Sequence, residues 1–351
     1  MTKIDRGSDP RRDPLRDLLG RPLKNLRLSV TDRCNLRCSY CMPEAEYVWL
    51  PRHDILQFEE MSTLVDVFAR AGVDRIRLTG GEPLLRRDLP ELIRMIASKP
   101  AIRDLALTTN GVMLADQARA LHEAGLHRLT VSLDSLQPDR FQALTRFDSL
   151  PQVLAGIDEA TKYFTGIKLD SVIIRGTNDD ELVPLLEYAK RIGAELRFIE
   201  YMDVGGATQW SHERVMSRQA MLAELGKQYG SITAVPEETS APADRFQLPD
   251  GTTFGIISST TDPFCRSCDR SRLTADGMWY RCLYATSGTD LRTPIRAGMS
   301  QDDLLELITK EWSARSDRGA EERLGVRDRS PLVTASNLKK NPHLEMHTRG
   351  G

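Results

Sequence analysis

The chain has 351 residues, 40% of them apolar and 28% charged, with a formal net charge of −2. That length suits a barrel-sized domain plus a smaller one, and the near-neutral balance argues against a strongly basic nucleic-acid protein. No apolar run approaches the roughly 18 residues of a membrane span, and the opening residues lack the apolar stretch of a secretory leader, so the expected compartment is cytoplasmic.

Residues 1–24, rich in Arg, Asp, Gly and Pro, are expected to form a mobile N-terminal arm. Strands are expected at 25–30, 75–79, 104–108, 128–133, 167–174 and 195–200. Helical patterns fall between them, for example at 59–71, 89–98, 115–124 and 181–192. Such alternation indicates a parallel sheet with right-handed crossovers. Six units over 25–203 could make an open sheet or an incomplete barrel, and periodicity leaves the two undecided. Gly205-Gly206 marks a boundary. A helix near 216–229, short strands at 231–235, 245–248, 252–257 and 272–275, a hairpin signal at Asp276-Gly277 and a helix at 302–313 then make a smaller unit over 204–314. Residues 315–351 are polar, weakly patterned and end in Gly350-Gly351.

Six cysteines in an intracellular chain are poor disulfide candidates, and these fall in two distant triads. Cys34, Cys38 and Cys41 follow the first strand with C-x3-C-x2-C spacing. Three thiolates on a short loop can hold three irons of a 4Fe–4S cluster and leave the fourth open to a small molecule. A zinc site is the bland alternative, but zinc wants four ligands and no fourth lies nearby. Cys265, Cys268 and Cys282, spaced C-x2-C-x13-C, repeat the pattern. There too, a zinc knuckle completed from a distance stays open.

Polar residues recur at strand ends: Gly80-Gly81-Glu82 after the second strand, Thr108-Thr109-Asn110, Ser132-Leu133-Asp134 and Met202. In parallel α/β folds the ligand site lies along that edge. Arg270 and Arg272, two apart, share a strand face and match phosphate oxygens bidentately. Arg27, Arg77, Lys168 and Arg197 add cations whose burial calls for an anion or a partner.

The first triad, with Tyr40 directly before its third cysteine and the Gly80-Gly81-Glu82-Pro83 turn, resembles the radical S-adenosylmethionine (SAM) superfamily. The double triad and the Arg272-Leu273-Thr274-Ala275-Asp276-Gly277 hairpin resemble, within it, the GTP 3′,8-cyclase (MoaA) family, from about Leu23 to Leu291 and again at the Gly-Gly end. The resemblance implies an incomplete (β/α)6 TIM-like barrel with a smaller C-terminal α+β domain carrying the auxiliary cluster. It implies two 4Fe–4S clusters, with Cys34, Cys38 and Cys41 holding the SAM cluster and Cys265, Cys268 and Cys282 the auxiliary one. Tyr40, Gly81, Ser132 and Met202 would contact SAM. Arg27, Arg77, Thr108, Lys168, Arg270, Ser271 and Arg272 would contact GTP. The implied reaction cleaves SAM to a deoxyadenosyl radical, takes the ribose C3′ hydrogen and joins C3′ to guanine C8, as the first step of molybdenum cofactor synthesis. A reductant protein and a downstream enzyme that forms the cyclic pyranopterin are implied as partners, with no nucleic acid and no membrane, and a monomer or homodimer as the working unit. Asp269 and Asp170 depart from the family pattern, which usually has Asn at both, and His347-Thr348-Arg349 replaces a usually apolar ending. A peptide-modifying radical SAM enzyme is the competing reading, disfavoured by the arginines beside only three C-terminal cysteines.

Overall fold

The computed structural model describes residues 14–237 and 239–350. Six parallel strands come first: β1 (Asn25–Ser29), β2 (Arg75–Thr79), β3 (Asp104–Thr109), β4 (Arg128–Ser132), β5 (Lys168–Ile173) and β6 (Glu195–Glu200). They are followed by β7 (Thr233–Val235), β8 (Asp244–Gln247), β9 (Thr253–Ile257), β10 (Arg270–Leu273), β11 (Met278–Tyr280) and β12 (Thr289–Asp290). All twelve join one sheet in the order β12-β11-β10-β1-β2-β3-β4-β5-β6-β9-β8-β7. The expected partial barrel is therefore β1 to β6, and the sheet runs on without a break into the second unit on both sides. β10 pairs in parallel with β1, and β9 in parallel with β6.

The strands alternate strictly. Leu26, Leu28, Ile76, Leu78, Leu105, Leu107, Leu129, Val131, Leu169, Leu196 and Phe198 are buried in one core with the surrounding helices. Arg27, Arg77, Thr108, Ser132, Lys168 and Arg197, at the intervening positions, line the interior. Side chains of period two must part to opposite faces. A parallel sheet covered on both faces usually reads as continuous apolar runs, so this polar alternation is the mark of a barrel with a polar lumen. The helix Phe58–Arg70 shows the complementary pattern, burying Met61, Leu64, Val65 and Phe68 at i, i+3, i+4 and i+7.

Both ends of the chain depart from expectation. Over residues 14–24 the expected mobile arm is docked: the Leu15 amide donates to the Ala71 carbonyl at 3.0 Å, Leu23 is fully buried, and Arg21 pairs with Asp17 at 2.6 Å. Residues 1–13, the rest of that arm, lie outside the described residues. The polar stretch after 314 also folds, through the short helices Gly319–Leu324, Ala335–Lys340 and Met346–Arg349. Its polarity is spent on specific partners. Buried Asp203, just after β6, accepts from Arg323 at 2.6 Å and Arg329 at 2.7 Å. The stretch ends inside the barrel mouth; Gly351 lies outside the described residues. Among those residues no helix is long and apolar enough to cross a membrane.

Candidate functional site

The loop after β1 carries the first triad and is clamped by its neighbours. Gly81 donates its amide to the Thr31 carbonyl at 3.0 Å, and Glu82 donates to the Arg33 carbonyl at 2.7 Å. A Cβ on Gly81 would stand 2.2 Å from the Arg33 oxygen, so only glycine lets the two loops meet. Glu82, 1% exposed, accepts from Thr109 Oγ1, the Asn110 amide and the Leu84 amide at 2.7, 2.7 and 2.9 Å. Burial outweighs these donors and raises its pKa to about 7. Tyr40 donates its hydroxyl to Asp134 at 2.7 Å, and burial raises Asp134 to about 6.

All six cysteines are free and partly buried. Burial pushes the Cys34 thiol up to about 11 and raises Cys38 and Cys41 as well. The second triad joins the turn Cys265–Ser267 and Cys268 to Cys282, beyond β11. Burial raises Cys282 to about 12. At Cys268 burial acts the same way but is overcome by the positive charges of Arg270 and Arg315, leaving the thiol below its ordinary value. No three Cys, His, Asp or Glu side chains among the described residues are grouped to hold a single metal ion. Three sulfur donors opening on a cavity fit a cluster that keeps one iron open.

Both triads open on one cavity of about 740 Å³. Tyr40, Gly81, Ser132, Met202, Arg27, Arg77, Thr108, Lys168, Arg270 and Arg272 all line it. Of the residues expected to contact SAM or GTP, Ser271 is the exception. It alternates with Arg270 and Arg272 along β10 and is 1% exposed, so its side chain is turned to the opposite face. Register explains the cationic wall. Arg272 stands beside Arg27 across β10 and β1, and Arg27 beside Arg77 across β1 and β2. Neighbouring strands are about 4.8 Å apart, so three guanidiniums form one row. Burial, reinforced by the neighbouring arginines, lowers Arg27 well below the usual guanidinium value and Arg272 to about 10. Arg77 falls to about 10 through burial, despite Asp170. Arg77 donates to Thr108 Oγ1 at 3.0 Å.

Some cations already have internal partners. Lys168 pairs with Glu195 at 3.0 Å, and Arg197 with the same oxygen at 3.1 Å. Of the two acids that depart from the family pattern, Asp170 lines the cavity. Asp269 does not itself line it, and accepts from Asn25 and Ser240, which do. Sequence reasoning missed Arg315, whose Nη2 lies 3.8 Å from Cys268 Sγ, and Arg21, which donates to the Cys265 carbonyl at 3.1 Å. Neither belongs to a motif; each reaches the triad only through tertiary packing. His347, noted only as a departure, lines the cavity beside the first triad.

The chain matches the family model described as Radical SAM superfamily over residues 28–189 and that described as Molybdenum Cofactor Synthesis C over residues 194–321. It is 58% identical over 343 residues to GTP 3′,8-cyclase 3 of Mycobacterium tuberculosis, covering 96% of this chain and 91% of that relative. It is 46% identical over 341 residues to GTP 3′,8-cyclase of Aquifex aeolicus, covering 96% and 100%. Among solved structures, Streptococcus suis SuiB bound to S-adenosylmethionine aligns with a TM-score of 0.58 at 13% identity, over 86% of this chain and 67% of that one. That likeness speaks for the fold.

Proposed function

The chain belongs to the GTP 3′,8-cyclase family of radical SAM enzymes, and from that premise we propose how its own residues divide the work. The protein converts GTP to (8S)-3′,8-cyclo-7,8-dihydroguanosine 5′-triphosphate in molybdenum cofactor biosynthesis, using SAM and two 4Fe–4S clusters. When bound, the first cluster with SAM supplies hydrogen-atom abstraction, and the second supplies an open iron for the purine.

In this reading Cys34, Cys38 and Cys41 hold the first cluster, and Cys265, Cys268 and Cys282 the second. Tyr40, Gly81, Ser132 and Met202 surround SAM. Tyr40 is fixed by Asp134 and Gly81 by the cysteine loop, so both are set before the ligand arrives. Arg27, Arg77, Arg270 and Arg272 take the triphosphate, with Thr108 orienting Arg77, and Lys168 adding charge from the far wall. Ser271 contributes through its backbone and keeps its two neighbours on one face. The arginine row between the triads supports the reading best. Buried guanidiniums side by side repel one another, and a polyphosphate relieves that repulsion. We propose also that a reductant protein supplies electrons and that the product passes to a pyranopterin-forming enzyme.

The test is anaerobic quantitation of iron and sulfide, followed by incubation with SAM, GTP and a reductant. About eight irons per chain are expected from two clusters, with 5′-deoxyadenosine formed only when GTP is present. Four irons, or SAM cleavage indifferent to GTP, would overturn the assignment.

A further inference from the structure

The last turn of the chain, the helix Met346–Arg349, brings a histidine to the first triad. His347 is 2% exposed, yet neither ring nitrogen has a hydrogen-bond partner among the described residues. Its backbone amide faces the Cys41 thiol and opposes the rise in that thiol's pKa. Its ring stands edge-on to Tyr47, 5.2 Å between centroids, and to Trp49, 5.6 Å. Arg37 covers those aromatics from beyond, 5.5 Å from the Trp49 ring. Two sides of the imidazole are therefore walled by aromatic carbon, and the residue lines the cavity.

Other buried atoms of this turn, such as Thr348 Oγ1 and Arg349 Nη2, also lack partners among the described residues, but those residues do not line the cavity. An imidazole buried with both nitrogens unpaired is unfavourable unless the cavity's occupant supplies the partner. With its amide facing Cys41, His347 lines the corner of the cavity at the first triad. The sulfurs of an iron–sulfur cluster are negatively charged and accept hydrogen bonds, and such bonds favour the reduced, more electron-rich state.

We propose that His347 donates a ring N–H to the sulfur of the first cluster at its Cys41 corner, so that insertion of the chain's end raises that cluster's reduction potential. This rests on the family reading above. The cluster is held by cysteines more than 300 residues earlier in the chain, so its electronics report whether the end of the chain is in place.

The test compares anaerobically prepared holoenzyme with its His347→Leu and His347→Gln variants. Potentiometric titration is followed by EPR, and the signal that changes on adding SAM identifies the first cluster. His347→Leu is expected to shift that cluster to a more negative potential, with the auxiliary cluster unmoved. His347→Gln, which keeps an N–H donor, is expected to restore most of the shift. Unshifted potentials overturn the proposal, as does weaker SAM binding at unchanged potential, which would make His347 a SAM contact. Should His347→Leu lose its cluster, the wild type labelled with 15N-histidine decides. A weak 15N coupling to the reduced cluster, absent in His347→Gln, supports the hydrogen bond. No coupling, or one large enough for direct iron ligation, refutes it. Iron content of the wild type checks the family reading separately: fewer than two clusters there overturns both readings, whereas two clusters with unshifted potentials overturn only this one.

Discussion

Gly350→Ala isolates what the end of the chain does in the barrel mouth. Gly350 has φ +69°, and a Cβ there would stand 2.2 Å from Thr79 Cγ2 and 2.9 Å from Ser29 Oγ. Ser29 and Thr79 close β1 and β2 and are themselves buried, so they cannot step aside. Its carbonyl accepts from Arg27 at 3.3 Å and also from Arg272, two members of the arginine row. The left-handed conformation costs a non-glycine residue about 1–2 kcal/mol. Overpacking a fixed wall adds about 1–3 kcal/mol. A total of about 2–5 kcal/mol disfavours insertion by about 30-fold to a few thousand-fold. The expected outcome is a loss of GTP-dependent turnover together with faster proteolysis at the C-terminus, while both clusters and SAM binding remain. Wild-type turnover with a protease-resistant C-terminus in the variant would refute the argument.

Arg270→Ala removes the proposed phosphate partner, a guanidinium that packs over Phe264 at 4.6 Å, and no cysteine of either triad. A charge-assisted hydrogen bond is worth about 1.5–3 kcal/mol, so GTP binding, read by equilibrium titration, should weaken by about 10- to 150-fold. Iron should stay near about eight per chain, and iron loss would show that Arg270 serves the cluster instead. Glu82→Gln tests the buried carboxyl of the Gly80-Gly81-Glu82 turn. Its pKa rises from 4.5 to about 7 in the fold, so between those values the folded state keeps a proton that the unfolded chain releases. The associated stability is full below 4.5 and is lost as pH rises through about 7. The wild-type melting temperature should therefore fall, relative to that of the variant, between about pH 5 and about pH 8; a constant difference would refute the shift.

The two cysteine spacings, the six strand–helix units and the alternation of Leu with Arg along β1 and β2 are properties of short windows, so the sequence alone carries them. Period-two alternation already commits Arg27 and Arg77 to the face opposite Leu26, Leu28, Ile76 and Leu78. Which strands become neighbours is another matter. Arg272 stands beside Arg27 only because β10 joins the free edge of β1, a pairing across more than 240 residues that no local pattern encodes. The same holds for Arg315 at Cys268 and for residues 315–350. They lack periodicity because ion pairs such as Asp203 with Arg323 and Arg329 hold them, in place of a repeating apolar face. Alternation determined the side of each strand on which a charge lies; long-range strand pairing and a returning chain end decided which charges meet.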